Sequence, residues 1–250
     1  MTTAGNAGPA AGGSVKAIPW GGDVTYHFRG CEPAPLPMAG NPAGRHEPDG
    51  PYARIFKRLF DIVLVLIAAP AVLAVVLPLV LVIALQGGSP FYVQERVGRG
   101  GRIFRMWKLR TMVPDAEARL AAHLAADPAA RAEWEKFQKL HDDPRVTPLG
   151  AFLRRSSIDE LPQLWNVLKG EMSIVGPRPF MPSQTAIYPG SEYYRLAPGL
   201  TGMWQVSSRN EASFAQRAQF DRLYFHDLSL RTDLALILRT VGVVLRPTGG

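Results

Sequence analysis

Apolar side chains follow no period through residues 1–50, where Gly, Pro and Ala dominate and turn dipeptides recur. That stretch predicts a disordered tail. Its start has no basic patch leading into an apolar run, so no signal peptide is read there. The pattern then inverts. Residues 62–85 run for 24 positions without a charge, interrupted by nothing stronger than Pro70 and Pro78. As a straight helix they would reach about 36 Å, enough for a hydrocarbon core of about 30 Å. Buried core helices are mostly shorter and striped, so a membrane segment is the better reading.

Downstream, residues 91–97 and 102–110 read as two strands around the turn Gly98-Arg99-Gly100-Gly101. Lys108 and Arg110, two apart, would then share one strand face. Residues 114–140, polar and Ala-rich, predict a solvated helical pair broken at Asp127-Pro128. Leu161, Leu164, Trp165 and Leu168 recur at i, i+3, i+4 and i+7, and Lys169-Gly170 stops them: a short amphipathic helix. Gly176-Pro177-Arg178-Pro179 reads as a loop and residues 198–206 as a turn-rich strand. A helix over 214–226 would carry Asp221 and Tyr224 as a surface pair. A last apolar helix from about 232 to 245 suits a membrane interface.

Charge decides how the apolar segment meets the bilayer. Lys57 and Arg58 precede it, and Arg96, Arg99, Arg102, Arg105, Lys108 and Arg110 follow. A span would leave one basic flank outside, against the positive-inside tendency. A segment that dips in and returns keeps both flanks in the cytoplasm, and either proline could make the bend. The formal net charge of +7 calls for an anionic partner: lipid headgroup, nucleotide phosphate or nucleic acid. The long apolar run argues against nucleic acid. Cys31 is the single cysteine, which excludes an intramolecular disulfide and a thiolate metal cluster. The five histidines show no metal-ligand spacing.

Asp159-Glu160 is the pair with chemical promise. It stands where the amphipathic helix begins, just after Arg154-Arg155-Ser156-Ser157. Ser157-x-x-Glu160 also matches a capping box, and acids favour helix N-termini for electrostatic reasons alone. With Asp159 as the cap, however, Pro162 falls in the first turn, where its missing N–H costs little. A carboxylate there, beside two arginines, can attack a phosphoryl group while its neighbour holds a divalent cation. The same basic side chains would hold a diphosphate. Magnesium suits such a site, because Mg2+ binds one or two carboxylates plus substrate phosphates. Arg178, between two prolines, is placed at low entropic cost, or is simply an exposed arginine on a rigid turn.

In order, these pieces resemble one family, the bacterial sugar transferases, or monotopic phosphoglycosyl transferases. The likeness lies in Phe56-Lys57-Arg58-Leu59-Phe60-Asp61, Gln94-Glu95-Arg96-Val97-Gly98 and Lys108-Leu109-Arg110-Thr111-Met112. It continues through the stretch from Arg154-Arg155 to Lys169-Gly170, then Met172-Ser173-Ile174-Val175-Gly176-Pro177-Arg178-Pro179, and ends in Pro198-Gly199-Leu200-Thr201-Gly202, Trp204-Gln205-Val206 and Arg209. It covers nearly everything from Phe56 onward. The family's helix-breaking proline usually falls near Ala74, whereas here the prolines sit about a turn to either side. Ser208 stands where a glycine is common. The tail lacks the extra transmembrane helices of larger relatives, so the chain looks like a short, catalytic-domain-only member.

The resemblance implies an α+β fold: a re-entrant membrane helix, then a compact, mainly helical cytosolic catalytic domain with a small β-hairpin. Its parts would be a tail over 1–50, the membrane helix over 51–88, and the catalytic domain with interface helices over 89–250. It implies transfer of a hexose-1-phosphate from a UDP-sugar to undecaprenyl (polyprenyl) phosphate, initiating exopolysaccharide or other glycoconjugate synthesis. Asp159 resembles the nucleophile that forms a phosphosugar-enzyme intermediate, and Glu160 the Mg2+ ligand. Arg154 and Arg178 resemble phosphate-binding positions, with Lys108, Arg110 and Arg209 as further substrate-binding candidates. The wording of residues 200–206 is closer to hexose transferases, so galactose or glucose is the expected sugar. The expected location is the cytosolic face of the bacterial inner membrane, without nucleic acid; a homodimer is compatible with this. The competing expectation is a non-catalytic membrane scaffold of the same fold, its acids only capping a helix and its basic face holding lipid headgroups.

Overall fold

A computed structural model describes residues 51–137, 140–207 and 214–245. The predicted tail therefore lies outside the described residues. A wide turn at Tyr52–Phe56 leads into α1 (Lys57–Leu85), which stays helical through both Pro70 and Pro78. At 29 residues it is about 44 Å long. Most of its apolar surface is exposed, including Leu59, Leu66, Ile67, Leu77, Leu81 and Leu85. A soluble helix would not leave such a surface to water.

Few residues of α1 are buried, and these bind it to the rest of the chain. Arg58 donates to the carbonyls of Val167 and Leu168 at the end of α5 (Gln163–Lys169). Asp61 accepts from the Ile174 N–H at 3.0 Å, on the short strand β3 (Ser173–Val175). Val65 packs with Phe104, Met106, Val167 and Met172. Val76 and Ile83, about three and five turns further along, pack with Leu109 and Leu153. Both halves of the apolar helix therefore touch the same body.

The period-two strands form as their pattern predicts. β1 (Phe91–Val97) and β2 (Ile103–Leu109) pair antiparallel, Phe91 opposite Leu109 and Val97 opposite Ile103. Gly100 and Gly101 turn the chain at φ 68° and 76°, a conformation that favours glycine. The predicted helical pair is α2 (Ala116–Ala126) and α3 (Pro128–Phe137), divided at Asp127-Pro128. Thr147 caps α4 (Pro148–Ser156), accepting from the Gly150 N–H at 2.9 Å.

The expected strand over 198–206 is much shorter. β4 (Gly199–Thr201) pairs parallel with β3, and Met203–Ser207 is helix α6. The ladder stops because β3 runs into Pro177, which has no N–H to give. The approach there is close: a Cβ on Gly199 would lie 2.1 Å from the Gly176 nitrogen, and one on Gly202 2.0 Å from the Gly176 carbonyl. Glycine at these positions lets two backbones touch, and that contact aims the Pro177-Arg178 loop.

Helices α7 (Phe214–His226) and α8 (Leu230–Leu245) close the fold, with Phe220, Tyr224, Phe225 and Leu236 in one core. Asp221 and Tyr224 are not the expected surface pair. Both are buried, because each finds a partner from elsewhere: Tyr188 donates to Asp221 at 2.6 Å, and Tyr224 to Asp233 at 2.7 Å. Asp233 also accepts from Tyr52 and Lys57, which joins the entry of α1 to α8. Leu230, Leu234, Leu238 and Val241 expose an apolar stripe on α8, in keeping with the expected interface helix.

One side chain sets the position of α5. Asn166 is fully buried, accepts from the Trp107 N–H at 3.1 Å and donates to the Arg105 carbonyl at 2.7 Å, clipping α5 to β2. Asn166→Ala should cost about 1–3 kcal/mol, since it leaves two partly buried strand groups without their partner. Thermal denaturation in detergent is expected to show a clear fall in midpoint; an unshifted midpoint would mean that the clip does not bear on stability.

Candidate active site

Helix α4 ends where Ser157 takes a left-handed conformation at φ 57°. A tight turn follows at Ile158–Glu160, and α5 starts only at Gln163. This corrects the expectation that Asp159 caps the amphipathic helix. The turn uses its own donors, Glu160 N–H to Ser157 and Leu161 N–H to Ile158, and α5 has no side-chain cap. The acid pair is presented to β2 instead. Lys108 Nζ lies 2.7 Å from Glu160 Oε1 and 3.9 Å from Asp159 Oδ2.

Asp159 is 7% exposed. Burial raises its pKa above the ordinary carboxylate range; the Lys108 ammonium opposes this, Glu160 adds to it, and Arg154 opposes it. Arg154 is steered by its Nε, which donates to Thr111 Oγ1 at 2.9 Å. Thr111 can sit so near because Gly150 has no side chain: a Cβ there would lie 1.9 Å from the Thr111 carbonyl.

Beside the acids opens a small cleft. Its charged and amide lining comes from Arg96, Lys108, Glu160, Gln163, Arg178 and Gln205. Asp159 is not part of the lining; it is joined to it through Lys108. Arg178 leans over the Trp204 ring at 5.8 Å. Thus Asp159, Glu160, Lys108 and Arg154 are brought together, and Arg178 shares the cleft.

Arg110 is not brought there. β2 ends at Leu109, the alternation ends with it, and Arg110 donates to the Gly87 carbonyl beyond α1. The expected shared face of Lys108 and Arg110 is therefore broken. Arg209 lies outside the described residues. Among the described residues, no three His, Cys, Asp or Glu side chains converge on a metal position.

Residues 52–247 match the family described as bacterial sugar transferase. The chain belongs to this family. It is 42% identical over 239 residues to a UDP-galactose-lipid carrier transferase of Erwinia amylovora, a match that covers 94% of this chain and 49% of that protein. It is 45% identical over 203 residues to an undecaprenyl-phosphate galactose phosphotransferase of Salmonella typhimurium, covering 79% and 42%. With the exopolysaccharide production protein ExoY of Sinorhizobium fredii it shares 43% over 205 residues, covering 80% and 89%. The chain spans about half the length of the first two relatives and most of the third.

Sequence reasoning named no site role in this transferase-family chain for Arg96, Gln163, Gln205 or Arg217. Arg217 is buried, 5.5 Å over the Trp204 ring and 6.0 Å over Phe180, and its charge is felt at both Arg96 and Asp221. Burial pushes the Asp221 carboxyl up to about 6. For Arg96 a signal existed: the hairpin register places it on the same strand face as Lys108.

Lys108→Met removes the nearest cation from Asp159, so the Asp159 carboxyl should titrate at higher pH than in the parent protein. Carbon-13 NMR of labelled aspartate carboxyls measures this directly. An unmoved midpoint would show that the ammonium does not govern Asp159.

Proposed function

We propose that this chain transfers a hexose-1-phosphate from a UDP-sugar to undecaprenyl phosphate through a covalent Asp159 intermediate. The observation that carries this is a buried aspartate held against a lysine at the edge of an arginine-lined cleft, on a domain packed against an apolar helix. The relatives' names agree with the reaction class: one is a UDP-galactose-lipid carrier transferase and another an undecaprenyl-phosphate galactose phosphotransferase.

In the first step an Asp159 carboxylate oxygen attacks the sugar-side phosphorus of the donor. The bond from that phosphorus to the bridging oxygen breaks, and its electron pair leaves on the nucleoside monophosphate. Asp159 now carries the phosphosugar as an acyl phosphate. In the second step an oxygen of the lipid phosphate attacks the same phosphorus and returns the carboxylate. Lys108, Arg154 and Arg178 balance phosphate charge during both displacements, in a partly dry site where such pairing is strongest.

The donor set fits magnesium. Two adjacent carboxylates already gather about one cation, the Lys108 ammonium, and Mg2+ takes one or two carboxylates together with substrate phosphates. Glu160 would be its principal ligand, and the ion would supply charge neutralisation at the diphosphate.

The apolar helix supports a re-entrant seating at the cytosolic face of the inner membrane, since its two halves pack on one body and both flanks are basic. A galactose or glucose donor is proposed from the relatives and from the wording of residues 200–206.

Asp159→Asn should reduce lipid-linked sugar formation about a thousand-fold or more. Labelled donor without lipid should mark the Asp159 peptide of the parent protein, and excess chelator should stop turnover until Mg2+ is restored. A scaffold would leave lipid-linked sugar formation indifferent to Asp159→Asn. For the seating, an impermeant thiol reagent should reach Cys31, and Gly100→Cys in a Cys31→Ser background, from the same side of sealed vesicles. Opposite sides would establish a span.

A further inference from the structure

Arg96 has no part in the steps above, yet it lines the cleft. We propose that Arg96 grips the phosphate that departs with the nucleotide, stabilising the charge developed when the diphosphate breaks. This rests on the donor and the displacement given under Proposed function and adds a residue to them.

Position comes first. Val97 donates its N–H to the Phe180 carbonyl at 3.0 Å, and the Tyr193 hydroxyl donates to the Val97 carbonyl at 2.5 Å. These bonds fasten the end of β1 to the chain just after Arg178, so Arg96 and Arg178 enter one cleft from different elements. Arg96 pairs across the hairpin with Phe104, four residues along β2 from Lys108. The two cationic residues therefore start about 13 Å apart along the strands, and both line the cleft. Lys108 stands with the acids. The Arg96 backbone lies farther along the hairpin than that of Lys108, on the side we assign to the leaving half of a diphosphate attacked by Asp159.

Charge comes second. One Arg96 Nη donates to Gln94 Oε1 at 2.5 Å, while Nε is buried and has no hydrogen-bond partner among the described residues. No carboxylate pairs with this guanidinium among them. Burial, and after it the neighbouring charges of Arg178 and Arg217, push its pKa down to about 10, so it stays a cation at neutral pH. Neighbouring guanidinium groups withdrawn from water cost free energy until an anion stands among them. Arg96 lines the cleft with a planar guanidinium, whose several N–H groups suit phosphate oxygens in a way a lysine cannot match.

The balance is simple. As the phosphorus–oxygen bond breaks, its electron pair passes to the bridging oxygen, and the nucleoside monophosphate leaves with one more negative charge than its phosphate carried in the diester. No proton is required. A fixed cation at that oxygen is worth most at this moment.

The probe is uridine monophosphate, added to the full chain in detergent as a product inhibitor and titrated at equilibrium. Arg96→Gln should weaken its binding about ten- to hundredfold and slow labelling of Asp159, with the same peptide labelled at the end. Arg96→Lys should recover part of the affinity. A folded Arg96→Gln protein, its thermal midpoint unchanged, that binds the monophosphate as tightly as the parent overturns the proposal. If Arg96→Gln does not fold, Arg96→Lys decides: several-fold weaker binding supports the proposal and equal binding overturns it. The same titration in an Asp159→Asn background keeps the two ideas apart. Activity surviving Asp159→Asn removes the covalent route, whereas monophosphate affinity in that background still reports on Arg96 alone.

Discussion

An aspartate withdrawn from water keeps a usable carboxylate only if a cation is held against it, and here that cation is Lys108. Much of the described structure arranges this one encounter. The ammonium is carried on a hairpin strand, whose alternation turns it toward the acids. The acids are carried on a tight turn between two helices, ended on one side by the left-handed Ser157. Asn166 holds the following helix to the hairpin, and Arg58 closes that helix's far end. A shift of an ångström in any of these would leave either a bare buried carboxylate or a bare ammonium.

Glycine performs the equivalent task on the other side of the cleft. Gly176, Gly199 and Gly202 let two backbones meet where any side chain would hold them apart. Arg178 leaves this junction on a proline-stiffened loop, its guanidinium resting over Trp204. Glu160 and the arginine thus belong to separate pieces of local architecture that share one opening, with Asp159 joined to it through Lys108. An opening lined by cations and amides, with little apolar wall, suits a charged and extended group such as a diphosphate better than an apolar ligand.

What could be read from the sequence was mostly local. The hairpin, its glycine turn, the short helix ended by Gly170 and the break at Asp127-Pro128 all follow from period and punctuation within a few residues. Asp159 and Glu160 drew notice through their neighbours in the chain. The cap assigned to Asp159 failed because Ser157 spends a turn that spacing alone does not reveal. The strand expected over 198–206 failed because its length depends on how far a partner strand can run before Pro177. Arg96 was legible only as far as its strand face; the cleft it lines, like the place of Arg217, follows from contacts such as Val97 with Phe180, between residues far apart in sequence. Asp221 and Tyr224 went inside for the same reason, since the groups that satisfy them come from other elements.

The gripping of α1 by its neighbours has one more consequence. Val65, Val76 and Ile83 are at once part of the apolar helix and part of the packed interior, and Lys57 and Asp61 tie its first turns to α8 and β3. The greasy segment is a wall of the house and not a mooring rope. Cutting the chain after Leu85 would bare Phe104, Met106, Leu109 and Leu153 together, so solubility cannot be won by trimming. Whatever detergent or lipid surrounds this helix is, through three shared side chains, in mechanical touch with the strand that carries Lys108.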